Sequence, residues 1–169
     1  MLKTTLALAL VLLFQPLSYA QSIEDDFEGN GTISTWFGDD CNMNTSLSNP
    51  VKQGINNSNT VLEYQDIGGT YANVRFDAGR NLNLASYPTI SFKVYISSTG
   101  LTGSQNNQVS LKLQDGNIGS PWSTQTEIIK NVSLDQWQTL SFNFASDPYS
   151  NMDPNSPNPN VRMDLNRAV

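Results

Sequence analysis

The chain has 169 residues, of which 15 are acidic and 9 basic, with one cysteine and no histidine. The lack of histidine excludes a Ser-His-Asp triad and a histidine-built metal site, and one cysteine excludes an internal disulfide. A formal net charge of −6 argues against nucleic acid as a partner, because phosphates select a basic surface. Only 14% of residues are charged, against roughly 25% in an average domain. Such a neutral, hydrogen-bonding surface favours an uncharged, hydroxyl-rich ligand.

The first twenty residues are typical of a signal peptide. Lys3 gives the positive start, residues 6–14 form the apolar stretch, and residues 18–20 form a small-residue cleavage site. The apolar stretch has about nine residues, whereas a membrane-spanning helix needs about twenty, so no membrane anchor is expected. We therefore expect a secreted protein, extracellular or periplasmic, cleaved near Ala20 and leaving one domain over residues 21–169.

Alternation of apolar and polar residues recurs along the remaining chain, while helical periodicity is nearly absent. A short strand is expected at 33–37, and a hairpin is expected to join 61–69 to 70–79 with its turn at Gly68 and Gly69. Further strands are predicted at 89–97, 107–116, about 124–132 and 137–144. Half-buried strands separated by turn signals indicate an antiparallel β-sandwich or barrel.

The end of the chain carries two different signals. Residues 147–160 hold four of the eight prolines, so this segment is expected to be a loop or a linker and not a central strand. Apolar spacing resumes at 161–169, and the sequence ends where a strand is expected to begin. We therefore expect the sandwich to be truncated at its C-terminus, as a fragment of a longer protein.

Five segments follow one another in a recognisable order: DDFEG (25–29), VLEYQDIGGTYANVRF (61–76), TISFKVYI (89–96), VSLKLQDG (109–116) and DQWQTLSFNF (135–144). Their order and spacing resemble the jelly-roll carbohydrate-binding modules with a galactose-binding-like fold, which are attached to secreted bacterial glycoside hydrolases and polysaccharide lyases. The nearest likeness is to N-terminal modules of enzymes that act on β-1,3-glucans. The resemblance implies a non-catalytic module that holds a catalytic domain on a neutral polysaccharide, with a β-glucan favoured. Two further strands expected from this resemblance are missing here, in line with truncation.

A jelly roll sends alternate strands to opposite sheets, which predicts one sheet from 70–79, 107–116 and about 124–132, and another from 61–67, 89–97 and 137–144. Sugar rings stack on aromatic side chains, and their hydroxyls bond to amides and cations. The outward positions of the first sheet form the predicted glycan surface: Tyr71, Asn73, Arg75, Gln108, Ser110, Lys112 and Gln114. Trp36 and Trp122 are added because turn residues adjoin them, and rim loops often carry recognition. The alternatives are a solvated face and tryptophans that cover the edge of the core.

The same resemblance implies a structural calcium ion near the acidic start. Asp26 and Glu28 match the N-terminal ligand positions of such modules, and Asn30, or Asp39 with Asp40, could extend the shell. Calcium takes oxygen ligands of these kinds. The alternative is a solvated acidic segment that binds no metal.

Glu24, Asp26 and Glu28 also fit the E-x-D-x-E spacing of retaining β-glucanases. Strand alternation would place the three carboxylates on one face, and retention needs two carboxyl groups about 5–5.5 Å apart. This pattern keeps open a second function, in which the chain is itself a glycoside hydrolase. A third is a surface adhesion or scaffold sandwich without affinity for sugars.

Overall fold

The computed structural model describes residues 22–101 and 106–169, so the predicted signal peptide lies outside the described residues. Within them the chain forms ten β-strands, three short 3-10 turns and no α-helix. No helical segment in these residues is both long and apolar enough to cross a membrane. The predicted all-β architecture is confirmed.

The first five strands are β1 (Trp36–Asp39), β2 (Cys41–Ser48), β3 (Thr60–Asp66), β4 (Asn73–Asp77) and β5 (Thr89–Val94). The other five are β6 (Gln108–Gln114), β7 (Thr126–Asn131), β8 (Gln138–Asn143), β9 (Ser150–Asn151) and β10 (Arg167–Ala168). The 3-10 turns are η1 (Ser98–Gly100), η2 (Pro121–Thr124) and η3 (Pro159–Val161). Segment 147–160 thus contains only a two-residue edge strand and one short turn.

Six strands make one antiparallel sheet in the order β1-β4-β10-β6-β7-β9. The two-residue strand β10 lies in its middle, with Arg167 between Asp77 and Gln114. After β10, Val169 and Lys112 exchange two main-chain hydrogen bonds of 2.9 Å. The apolar spacing at 161–169 therefore marks the segment that joins β4 to β6.

The second layer of the sandwich is the antiparallel pair β5–β8, whose register runs from Thr89 opposite Asn143 to Val94 opposite Gln138. Its apolar residues alternate toward the six-stranded sheet, as the sequence predicted, and the rings of Phe92 and Phe142 stack with centroids 5.4 Å apart. The buried core combines both layers with the loops between them: Leu82, Leu84, Leu111, Leu113, Ile128, Val132, Leu140, Phe142, Phe144, Leu165 and Ala168. Burial of this apolar surface is the main force that holds the layers together.

The predicted hairpin between 61–69 and 70–79 is wrong. β3 pairs with β2 and β4 pairs with β1, so 36–48 and 60–77 form one long, bent hairpin. Its second arm carries the extra residues 67–72 opposite Asp40, whose φ is +51°. The two glycines that predicted a hairpin turn have other roles: Gly68 has a φ of +92°, and Gly69 lets the chain pack closely on Asp40, since a Cβ on Gly69 would lie 2.3 Å from the Cβ of Asp40.

This bend also corrects the predicted composition of the second sheet. β3 lies in a two-stranded sheet with β2 and is not part of the β5–β8 ladder. The polar sequence of β2 had not predicted a strand. The rule that alternate strands go to opposite sheets placed β3 beside β5 and β8, whereas in the structure it pairs with β2.

The close approach of Gly69 to Asp40 can be tested by adding one methyl group. Gly69→Ala should lower the free energy of unfolding by about 1–3 kcal/mol, because the new Cβ forces backbone shifts at the bend. Gly119→Ala is the matched control, since its Cβ would meet nothing within 4 Å. Urea unfolding of both variants measures the difference, and equal stabilities would contradict the packed bend.

Candidate functional site

The six-stranded sheet has a polar side that faces away from the core. Trp36 and Phe76 lie opposite each other on the core side, so their neighbours along β1 and β4 point outward by strand alternation. The same argument applies to β6 and β7, whose Leu111, Leu113 and Ile128 are buried. We define the outer sheet face by ten of these outward residues on β1, β4, β6 and β7: Phe37, Asp39, Asn73, Arg75, Gln108, Ser110, Lys112, Glu127, Ile129 and Asn131.

Arg75 is held in place from two sides on this face. Its Nε donates to Oδ2 of Asp39 at 2.9 Å, and its Cζ lies 4.6 Å from the centroid of the Phe37 ring. The ring attracts the cation through its quadrupole, and the carboxylate fixes the direction of the guanidinium. The result is a positioned planar donor beside an aromatic ring that is 38% exposed.

The neighbouring strands add hydroxyl, ammonium and amide groups. Ser110 donates from Oγ to Oε1 of Glu127, and Lys112 lies directly opposite Glu127. Gln108 and Asn131 are exposed partners at one end of the β6–β7 ladder. These groups can donate hydrogen bonds to a ligand and accept them from it.

Five of the predicted glycan-binding residues lie together on the outer sheet face: Asn73, Arg75, Gln108, Ser110 and Lys112. Tyr71 is not in β4 but in the extra segment before it, where it is 78% exposed. The side chain of Asn73 donates to the main-chain oxygen of Tyr71 at 2.7 Å. That bond ties the start of β4 to the segment carrying the exposed ring.

Gln114 was predicted to be exposed, and this is wrong. It is only 7% exposed, and its Nε2 donates to Oε1 of Gln125 at 3.2 Å. The chain that leaves η2 covers it on one side and Arg167 of β10 lies opposite it on the other. Strand alternation predicted the correct side of the sheet for Gln114. It could not show that segments distant in the sequence would cover this side chain.

Trp36 does not lie on a rim loop, so its predicted role as a sugar platform is also corrected. It begins β1, donates from Nε1 to Oδ2 of Asp25 at 2.7 Å, and packs against Phe76 and Phe27 with centroids 5.0 and 5.5 Å apart. Its ring covers the edge of the core, the alternative given above. Trp122 lies on η2 and is 60% exposed, which leaves its ring accessible.

Phe37 and Ile129 belong to the outer sheet face but were missed by the sequence analysis. Both are exposed apolar residues, and alternation around the core residues Trp36 and Ile128 is the signal that could have found them. They give the face two apolar contact points among its polar groups.

The acidic start does not form the strand that the hydrolase interpretation requires. Residues 22–26 have no regular structure and Phe27 has a φ of +62°, so Glu24, Asp26 and Glu28 do not alternate along a strand face. The Glu28 carboxylate accepts hydrogen bonds from the main-chain N–H of Thr60 at 3.0 Å and from the Asn59 side chain at 3.1 Å. These bonds lower the pKa of Glu28, and the bond from the Thr60 main chain has the largest effect. A general acid needs a raised pKa.

The predicted calcium ligands do not fit one shell. In 22–101 and 106–169, no three Asp, Glu or Cys side chains are grouped so that they could hold a metal ion. Asp39 is paired with Arg75, Asp26 accepts from the Glu28 main chain at 3.0 Å, and the Glu28 carboxylate is occupied by N–H donors. The carboxylates of this region serve the chain's own hydrogen bonds.

A model of the carbohydrate binding domain family CBM_4_9 matches residues 20–155. The chain belongs to this carbohydrate-binding domain family. The match confirms the predicted resemblance to carbohydrate-binding modules, and it spans the strands that build the outer sheet face except β10. Searches of curated proteins and of solved structures found no match.

The role of Glu28 in the carbohydrate-binding domain predicts a pH dependence. Its pKa in the folded state lies below the ordinary value of 4.5, so its contribution to stability is present above that value and is lost as the pH falls through the folded pKa. Glu28→Gln should therefore lower the melting temperature at pH 7, with a gap that narrows below about pH 4. Glu63→Gln, an exposed carboxylate in β3, is the control, and a gap independent of pH would contradict this assignment.

The misfit of the calcium ligands predicts that the carbohydrate-binding domain is insensitive to chelators. An ion that binds only the folded state raises the free energy of unfolding by RT ln(1 + [L]/Kd), and the melting temperature rises with it. Melting curves in excess EDTA and in excess calcium should therefore coincide. A rise of several degrees with calcium would show that a site does form.

Proposed function

We propose that the domain is a non-catalytic module that binds a neutral glycan, with a β-glucan favoured, on the outer sheet face. We further propose that it is secreted and holds an attached polysaccharide-degrading domain on its substrate. Membership of the carbohydrate-binding domain family supports a polysaccharide partner. Such a module acts by raising local concentration and does no chemistry itself.

The observation that carries the proposed site is the convergence of different hydrogen-bonding groups on one rigid face. Arg75 and Lys112 lie on strands separated by β10 alone, so their main chains are roughly 10 Å apart. Beside Arg75 is the Phe37 ring on β1, and on the strand of Lys112, β6, is the Ser110 hydroxyl. A face of this width offers contacts to more than one sugar ring, with C–H surfaces on the aromatic ring and hydroxyls on the polar groups.

The charges of the face favour a neutral ligand over an acidic one. Arg75 is paired with Asp39, and Lys112 lies opposite Glu127, so each cation has a carboxylate close to it. The positive potential that a uronate or sulfated glycan requires is thereby reduced. The likeness to modules of β-1,3-glucan enzymes then favours a β-glucan among neutral glycans.

The state of the carboxylates supports a binding role without catalysis. Glycoside hydrolysis uses two carboxyl groups that flank the scissile bond, one of them kept protonated. On the outer sheet face Asp39 is held by Arg75 and Glu127 by Ser110. Glu28 has a lowered pKa and lies in the loop that contacts the start of β3.

The test is calorimetric titration of the purified protein with laminarin and mixed-linkage β-glucan. Lys112→Ala should weaken binding about tenfold through loss of a charged hydrogen bond. Tyr71→Ala should weaken it by about 1–3 kcal/mol, because the exposed Tyr71 ring adjoins the outer sheet face through the bond from Asn73. The matched controls are Tyr87→Ala and Lys93→Ala, exposed residues outside this face. Salt should change the affinity little.

Two results would contradict the proposal. Controls that weaken binding as much as the face variants would remove the assigned site. An absence of binding to every neutral glycan in a broad panel would remove the proposed ligand class.

A further inference from the structure

A cleft of about 840 Å³ opens at the loop end of the sandwich, away from the residues of the outer sheet face. One wall comes from η2, through Ser123 and Thr124, and the other comes from the segment around Ser156 and Met163. This volume lies in the range of ligand pockets in proteins, roughly 300–1,000 Å³. None of the residues that line it belongs to the glycan surface predicted from the sequence.

The loop that forms one wall is held by its own side chains. Tyr149 donates from its hydroxyl to Oδ1 of Asn158 at 2.6 Å, and Asn151 donates from Nδ2 to the Ser156 oxygen at 3.3 Å. At the base of the loop, Lys130 forms an ion pair of 2.7 Å with Asp147. The cleft is therefore bounded by a cross-linked segment and not by an open chain.

An ion pair between a buried guanidinium and a partly exposed carboxylate lies in the wall of the cleft. Arg162 is only 5% exposed; its Nε donates to Asp164 at 2.9 Å, its Nη2 donates to the other oxygen of the same carboxylate, and its Nη1 donates to the Thr124 main chain at 2.7 Å. The two bonds from the Arg162 guanidinium fix the carboxylate of Asp164, and the Asp164 side chain remains 43% exposed. Both of its oxygens are thus held at set positions, as acceptors that two neighbouring hydroxyl groups can use together.

The same wall combines this acceptor with apolar and hydroxyl groups. Val161 and Met163 flank the buried Arg162 and are 61% and 64% exposed. The Ser156 hydroxyl has no hydrogen-bond partner in the part of the chain that the structure describes. Apolar surface next to fixed hydrogen-bonding groups matches the two kinds of surface that a sugar ring presents.

The charge of the cleft disfavours an anionic ligand. Asp153 and Asp164 outnumber Arg162 in the cleft, and the whole chain carries a net charge of −6. A phosphate, sulfate or uronate would meet net repulsion there. A neutral, hydroxyl-rich ligand meets no such penalty and can donate its hydroxyls to the carboxylates.

We propose that this cleft is a second glycan-binding site, which takes a neutral oligosaccharide through the fixed Asp164 carboxylate, the Ser156 hydroxyl and the apolar side chains of Val161 and Met163. It rests on the proposed function for its ligand class but not on the outer sheet face. With two sites on different surfaces, one domain can contact two segments of a polysaccharide and gain avidity.

The experiment is a titration of the isotope-labelled protein with a β-1,3-linked glucose hexasaccharide, followed by the amide signals of each site. Signals of Ser123, Ser156 and Asp164 report the cleft, and those of Ser110 and Lys112 report the outer sheet face. We expect both groups to shift, with separate dissociation constants. A Tyr71→Ala, Lys112→Ala double variant should leave the dissociation constant of the cleft unchanged within about twofold.

Met163→Ala should raise the dissociation constant of the cleft about three- to tenfold, as loss of an apolar contact predicts. Met152→Ala is the matched control, because Met152 is 58% exposed in the same loop region but does not line the cleft. Ser156→Trp should block the cleft and remove its shifts while those of the outer sheet face persist. Melting curves establish that each variant is folded.

Different failures have different meanings. If only the outer-face signals shift, or if the double variant also removes the cleft shifts, the second site is overturned and the proposed function stands. If only the cleft signals shift, the second site stands and the outer sheet face is not the binding site. If neither group shifts with this or any neutral oligosaccharide, both proposals are overturned together.

Discussion

The insertion of β10 between β4 and β6 is the pairing on which the rest of the structure depends. Arg167 makes an ion pair of 2.6 Å with Asp77, 90 residues earlier in the chain, and Leu165 just before the strand is fully buried. Without this segment β1–β4 and β6–β7–β9 would be two separate sheets. Arg75 and Lys112 would then lie on different surfaces, so the outer sheet face exists because a short distant segment joins its two halves.

The carboxylates of this domain act mainly on the chain itself. Asp39 positions Arg75, Asp77 holds Arg167, and Asp164 neutralises the buried Arg162. A buried guanidinium needs such a partner, because an unpaired charge in the interior is costly. This use explains why an acidic protein can still offer guanidinium groups near its surface. The cations are fixed as hydrogen-bond donors while their long-range field is largely cancelled.

The sequence correctly predicted the strands in which buried and exposed residues alternate regularly along the chain. β5, β6 and β8 have strict apolar alternation, so their inward residues were identified correctly. Strand pairing is not a local property: the glycines at 68 and 69 resembled a hairpin turn, whereas the partners of β3 and β4 lie in 36–48. The side of Gln114 followed from alternation, but its cover by Gln125 and Arg167 depends on where η2 and β10 pack. For the same reason Trp36, beside turn residues in the sequence, proved to be core-facing.

The two candidate sites differ in how their side chains are ordered, and this has consequences for affinity. On the outer sheet face the groups stand on strands whose opposite side is packed core, and Arg75 is already clamped by Phe37 and Asp39. Arg75 therefore has little side-chain entropy to lose on binding, which favours affinity for a given number of contacts. In the cleft the Arg162–Asp164 pair is fixed in this way, whereas Met163 has an exposed side chain with several rotatable bonds. The outer sheet face should therefore bind more tightly, and the cleft should add avidity when a second segment of the polysaccharide is within reach.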